Sequence, residues 1–189
     1  SLQFGEQPLS SSNYGKIINE KHFNRISGLI DKNKVVFGGQ TDSETLQISP
    51  TVMDHVTYED KVMQEEIFGP IMPILTYDSL DELIHKINSM PHPLALYFFT
   101  RDKVAARKVT SQCQFGGGCI NDTIIHLATS EMPFGGFGES GMGSYHGREG
   151  FRTFSHYKSI VDKKTWLDLP MRYQPYKRIN DKLIHFFLK

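Results

Sequence analysis

Gln64-Glu-Glu-Ile-Phe-Gly-Pro70 sets two adjacent carboxylates just ahead of a lone aromatic ring. Gly69-Pro70 then breaks any regular element before the apolar run Ile71 to Leu75. A loop of this kind presents a carboxylate and a ring at the mouth of a sheet. One carboxylate accepts hydrogen bonds from two neighbouring hydroxyls, and a ring two residues on lies against a flat heterocycle. Glu66 and Phe68 therefore suit a ribose that carries a planar base. An exposed helix end followed by a buried phenylalanine accounts for the same residues, since surface carboxylates and core aromatics are the common case.

Other stretches also carry candidate chemistry. Gly136-Phe-Gly-Glu-Ser-Gly141 spells G-x-G-x-x-G, whose mechanism needs a strand before the first glycine and a helix after the last, so that N–H groups face a pyrophosphate. Pro133 precedes it and Met142 to Gly147 follow it, a context that argues against a phosphate loop. Cys113 lies in Ser-Gln-Cys-Gln-Phe and Cys119 in an expected strand beside Ile120; small thiols in such settings are packing residues. His146, taken alone, reads as a structural histidine. His22, His55, His85 and His185 are scattered without metal-ligand spacing, and no metal is expected.

The elements that must position these groups follow from periodicity. Ser10 to Asn13 form a cap cluster, behind which Tyr14, Ile17, Ile18, Phe23, Ile26 and Ile30 fall at helical spacing, predicting a helix of about 16 residues. Val35 to Phe37, closed by Gly38-Gly39, reads as a strand, and Leu46 to Val52 as an extended segment that Pro50 marks as a sheet edge. Ile71 to Leu75 reads as a buried strand. Ser79 and Glu82 form a capping box for a helix that stops before Pro91. Ala95 to Phe99 is a strand, Asp102 caps a further helix through Val109, and Gly118 to Ile120 is another strand. The glycines Gly116 to Gly118 mark close packing or a bulge. Strand and helix in alternation predict an α/β fold, a three-layer sandwich around a mostly parallel sheet. After Asn121 the periodicity gives way to glycine. Phe151 to Phe154 reads as a turn or short helix, Ser159 to Val161 as a strand that invites a partner subunit, and Leu183, Ile184 and Phe187 share one face of a terminal helix.

Gln64 to Pro70, Pro133-Phe-Gly-Gly136 and Ser140-Gly-Met-Gly-Ser-Tyr-His-Gly147, in that order, resemble three blocks of the aldehyde dehydrogenase superfamily. Ser-Tyr-His-Gly and the tail Arg172-Tyr-Gln-Pro-Tyr176 resemble its class 3 branch, and the similarity runs from about Tyr14 to Tyr176. The resemblance implies oxidation of an aldehyde to its acid with NAD or NADP: a thiolate attacks, hydride passes to the nicotinamide, and a carboxylate activates the hydrolytic water. It implies that Glu66 binds the nicotinamide ribose, that Phe68 places the nicotinamide ring, and that Tyr145 and His146 lie beside the substrate entrance. The Pro-Phe-Gly-Gly block belongs to the family's catalytic domain, which makes the overlapping G-x-G-x-x-G a decoy. Neither cysteine has the family's Gly-Gln-x-Cys context, and no Glu-Leu-Gly-Gly-Lys block occurs. Residues 1–162 are thus expected to be the C-terminal portion of a catalytic domain, with residues 159–161 an oligomerisation strand and residues 163–189 a tail. The chain alone is expected to be inactive.

Bulk properties narrow the alternatives. A chain of 189 residues has room for one large core. Lys and Arg number 21, as do Asp and Glu, so no net field draws the chain to nucleic acid or to an anionic membrane. Two cysteines make no disulfide framework, no apolar run reaches the roughly 20 residues of a membrane span, and a reducing, cytoplasmic setting is expected. The start at Ser1, without methionine, suggests a piece of a longer chain. Expected partners are an aldehyde and a second copy in a homodimer or other homo-oligomer. A non-catalytic assembly or binding module, and an autonomous nucleotide-binding domain built on Gly136 to Gly141, stand as alternatives.

Overall fold

The structure, a computed structural model, describes residues 3–169, 172–175 and 178–187. The chain divides into two compact units, the first Ser1–Pro91 with Asp102–Gln114 and the second His92–Arg101 with Phe115–Lys189.

In the first unit, helix α1 (Glu20–Ser27) begins where the Asn19 side chain accepts the His22 N–H at 2.9 Å. Glu20 in the first turn and Arg25 in the last both complement the helix dipole. The helix is half the expected length. Ile17 keeps the helical spacing but gives its N–H to the Leu46 carbonyl at 2.8 Å, and the Tyr14 hydroxyl bonds the Ile48 carbonyl at 2.6 Å. Those distant partners take the stretch before Asn19 out of the helix.

Strands β1 (Val35–Phe37), β2 (Thr41–Asp42), β3 (Gln47–Ile48), β4 (Thr51–Met53) and β5 (Ile71–Pro73) follow. β2 and β3 form an antiparallel pair, while β4 lies between an antiparallel β1 and a parallel β5. Pro50 therefore does not mark an edge: it falls between β3 and β4, so its missing N–H is never asked of the ladder, and β4 is central. Only the first residue of β5 is fully buried; Met72 is 56% exposed. Phe23, Ile26, Leu29, Ile48, Met53, Val56, Val62 and Ile71 form one apolar core behind this sheet. Helix α2 (Leu80–Asn88) is capped by the Ser79 hydroxyl and α3 (Lys103–Gln112) by Asp102. Asp81 and Lys108 pair across the two helices, and the Asn88 amide donates to the Gln112 carbonyl at 2.7 Å while accepting from the Gln114 N–H.

In the second unit, β6 (Ala95–Phe98) and β7 (Gly117–Ile120) run parallel in register from Ala95 opposite Gly117 to Phe98 opposite Ile120. The chain between them passes through α3, the long connection that parallel pairing requires. A β-carbon on Gly118 would lie 2.0 Å from the Leu96 carbonyl oxygen, so the glycines here mark close packing. Helix α4 (Gly147–Thr153) begins earlier than expected, and Ser159 to Val161 pair with no strand among the described residues. Ile160 and Val161 are exposed. Helix α5 spans Arg178–Phe187; Leu188 and Tyr176 lie outside the described residues, as do the side chains of Leu183 and Phe187. The whole is a mixed α/β fold with parallel strands, as the alternation of elements predicts.

Candidate functional site

The loop carrying Glu66 and Phe68 is fixed at both its ends and held by α1 between them. It leaves a single 3-10 turn, Lys61–Met63, whose Val62 is 1% exposed; the Gln64 N–H closes that turn on the Lys61 carbonyl at 3.2 Å, and its side-chain amide donates to the Tyr58 carbonyl at 2.6 Å. At the far end the Pro70 carbonyl accepts the Thr51 N–H at 2.9 Å, and Ile71 enters the sheet buried. Between these points Arg25 of α1 reaches three successive residues. Its Nη2 donates to the Ile67 carbonyl at 2.8 Å, its Nη1 to the Glu66 carbonyl at 3.3 Å, and Nη1 lies 3.1 Å from Oε1 of Glu65. Gly69 faces Ile26, the next residue of the same helix; a β-carbon there would sit 2.9 Å from both Cδ1 and Cγ2 of Ile26.

Phe68 lies between these fixed points in the left-handed region, φ 47°, with its ring 82% exposed. A bulky residue adopts that backbone only when the surroundings impose it, at about 1–3 kcal/mol. The Glu66 carboxylate is exposed and makes no hydrogen bond or ion pair with another described residue. The alternative of a helix end followed by a buried phenylalanine holds for the exposed glutamates, which follow a single 3-10 turn, and is overturned for Phe68, which is not buried. Acid and ring stand two residues apart on one fastened loop, both turned to solvent.

Tyr145 and His146 belong to the second unit. Phe134 and Tyr145 exchange N–H···O bonds of 2.9 Å in an isolated antiparallel bridge, which joins the Pro-Phe-Gly-Gly and Ser-Tyr-His-Gly stretches. The Phe134 ring stacks on His146 at 5.9 Å and meets Tyr145 edge-on at 5.7 Å, while Tyr145 and His146 lie edge to face at 4.6 Å. His146 has φ 90°, and its Nδ1 is buried with no hydrogen-bond partner among the described residues. Tyr145 is half exposed. Gly136 to Gly141 fold back on themselves: the Ser140 hydroxyl accepts the Phe137 N–H and donates to the Phe137 carbonyl, both at 3.1 Å, and the next helix waits until Gly147. Backbone N–H groups of Glu139 and His92, with the His92 imidazole nearby, hold the Glu139 carboxyl below the usual glutamate range.

One contact was not legible in the sequence. Cys119 Sγ lies 3.5 Å from Nδ1 of His126, a buried imidazole between the rings of Tyr97 and Phe134 whose Nε2 has no partner among the described residues. The two residues are seven positions apart, and left-handed turns at Asn121 and Ile124 bring them together, so no regular spacing announced the pair. Cys113 closes α3 as a buried thiol, and desolvation pushes its pKa up. No group of three or more His, Cys, Asp or Glu side chains among the described residues could hold a metal ion.

The first unit is thus a mixed α/β fold that turns the Glu66 carboxylate and the exposed Phe68 side chain to solvent on one loop beside its sheet. Residues 1–160 match the aldehyde dehydrogenase family, to which the chain belongs. It is 42% identical over 179 residues to aldehyde dehydrogenase family 3 member H1 of Arabidopsis thaliana, covering 93% of this chain and 37% of that protein. It is 46% identical over 160 residues to the dimeric NADP-preferring aldehyde dehydrogenase of Rattus norvegicus, covering 85% and 35%. The substrate-bound structure of Staphylococcus aureus AldH superposes with a TM-score of 0.84 at 48% identity, over 98% of this chain and 41% of that one. The class 3 resemblance holds, and the chain spans about two-fifths of the length of these proteins.

Proposed function

We propose that this chain is the later part of the catalytic domain of a class 3 type, nicotinamide-dependent aldehyde dehydrogenase that oxidises an aldehyde to a carboxylic acid. Glu66 accepts hydrogen bonds from the hydroxyls of the nicotinamide ribose, and Phe68 lies against the nicotinamide ring. Tyr145 and His146 line the way in for the aldehyde. The observation that carries this reading is the Phe68 backbone at φ 47° beneath a ring that is 82% exposed, next to a carboxylate without a partner. Strain kept at an exposed ring has no packing return, so a ligand is the group that gives it a use. The dihydroxy edge of a ribose matches the lone pairs of a free carboxylate, and a flat ring matches Phe68, so these residues fit NAD or NADP. When bound, that cofactor accepts the hydride.

The other residues have narrower tasks. Glu66 fixes the ribose, and through it the face of the ring offered to the substrate. Phe68 excludes water from one side of that ring. Neither group gives or takes a proton in the reaction, and the attacking thiolate and the carboxylate that activates water belong to sequence blocks this chain does not contain. The chain by itself therefore oxidises no aldehyde. In our reading the whole protein works in the cytoplasm as a homodimer or other homo-oligomer in which residues 159–161 add to a partner's sheet.

Glu66→Gln in the whole protein tests the central assignment. A neutral amide accepts more weakly from ribose hydroxyls, so the cofactor KM rises or hydride transfer slows by about tenfold. Unchanged kinetics with both NAD and NADP would remove Glu66 from the site. Steady aldehyde-dependent NADH formation by the purified 189-residue chain would refute its inactivity.

A further inference from the structure

We infer that Arg25 is the positioning residue of the cofactor loop, and that the two glutamates of the acidic pair divide the work: Glu65 holds Arg25, which leaves Glu66 free for ligand. The inference rests on the reading of Glu66 and Phe68 given above.

The geometry carries it in three steps. A guanidinium is a rigid planar fork, and here its two terminal nitrogens reach the carbonyls of Glu66 and Ile67 while Nη1 also meets the Glu65 carboxylate. One side chain thus ties down two consecutive backbone carbonyls and the carboxylate just before them. Next, a bare cation this close to Glu66 would draw the Glu66 carboxylate onto itself. The Glu65 carboxylate takes that role, and Glu66 keeps its oxygens unpartnered. Finally, Ile26 follows Arg25 on the same helix and fills the space where Gly69 has no side chain. Helix α1 therefore grips the loop at residues 65–67 and again at 69, and Phe68 is the residue left between. With both flanks fixed, its left-handed backbone is imposed from outside.

Lysine cannot replace this arrangement, because a single ammonium cannot hold two carbonyls and a carboxylate in a fixed plane. Limited proteolysis of the 189-residue chain gives the first readout. Arg25→Lys and Arg25→Ala should speed cleavage between Glu65 and Gly69 at least tenfold, while cleavage within α2 stays as it was. Steady-state kinetics of the whole protein give the second. Both variants should raise the cofactor KM about tenfold with little change in the aldehyde KM, and methylguanidine added to Arg25→Ala should restore part of the loss. A merely structural role for Arg25 would instead lower the active fraction, and so kcat, with both KM values unchanged; that pattern, or a fully active Arg25→Lys, overturns the inference. If Glu66→Gln and Phe68→Ala leave the cofactor KM unchanged, the reading of the loop itself has failed. If they raise it and Arg25→Lys does not, only the positioning role falls.

Discussion

Phe68→Ala separates a ring held out for a ligand from a ring that packs. With 82% of its surface exposed, Phe68 keeps under cover only about 40 Å² of the roughly 200 Å² that a phenylalanine can bury. At about 25 cal/mol per Å² that cover contributes about 1 kcal/mol. Alanine keeps the β-carbon and therefore the left-handed strain, so the substitution removes the cover and nothing else. The expected loss of stability is about 1 kcal/mol, or about 2–4 °C in Tm for a chain of this size. Phe23, on the buried face of α1 and 5% exposed, supplies the internal reference: Phe23→Ala should cost about 3–5 kcal/mol. Thermal and urea unfolding of the two variants of the 189-residue chain, followed by circular dichroism, makes the comparison direct. In the whole protein the same Phe68→Ala should raise the cofactor KM several-fold. A loss of 3 kcal/mol or more at Phe68 would place the ring in packing and refute the reasoning, whatever the kinetics showed.

Gly118→Ala should push β6 and β7 apart, since its β-carbon would fall 2.0 Å from a backbone oxygen that has nowhere to go; near-wild-type circular dichroism and unfolding of the variant would contradict that clash. Asn19→Ala removes the cap of α1 and should cost about 1 kcal/mol, seen as a lower urea midpoint at unchanged slope. The Lys34 ammonium, and next the Thr57 N–H, hold the Asp60 carboxyl below its ordinary value of 3.8. The folded pKa is the lower one, so this stabilisation is present above pH 3.8 and is lost as pH falls through the depressed value. Wild type should accordingly exceed Asp60→Asn in stability at neutral pH and lose that lead in acid; a constant difference down to pH 2 would be the contrary result. Iodoacetamide should label the half-buried Cys119 before the buried Cys113, whose thiol desolvation keeps protonated; mass spectrometry after limited alkylation reads the order.

Much of the fold was open to reading because its signals are local. Ser79, Asp102 and the prolines after α2 act within a few residues of themselves, and the strands that flank α3 stand where their apolar runs lie. Errors arose where a distant partner decided. Tyr14 and Ile17 have helical spacing, yet the carbonyls of Ile48 and Leu46 claim them, and nothing near Asn13 foretells it. Pro50 looked like an edge because its position between two short strands depends on where β3 stops. The loop from Gln64 to Pro70 was found by residue type, but its support was not: Arg25 lies some forty residues earlier and forms part of what reads only as an amphipathic helix. No residue preference would put phenylalanine at positive φ, so the most informative feature of the candidate site appears only in three dimensions. The region after Asn121 was opaque because its bridge, from Phe134 to Tyr145, has no period.

The pairing of β6 with β7 alone leaves the outer rail of each strand with amide and carbonyl groups that no other described strand meets. Such rails recruit whatever extended backbone is at hand. Produced by itself, this polypeptide should therefore self-associate more strongly as its concentration rises, and it should be easiest to keep in solution when supplied with strands from a dehydrogenase scaffold that cap those two rails.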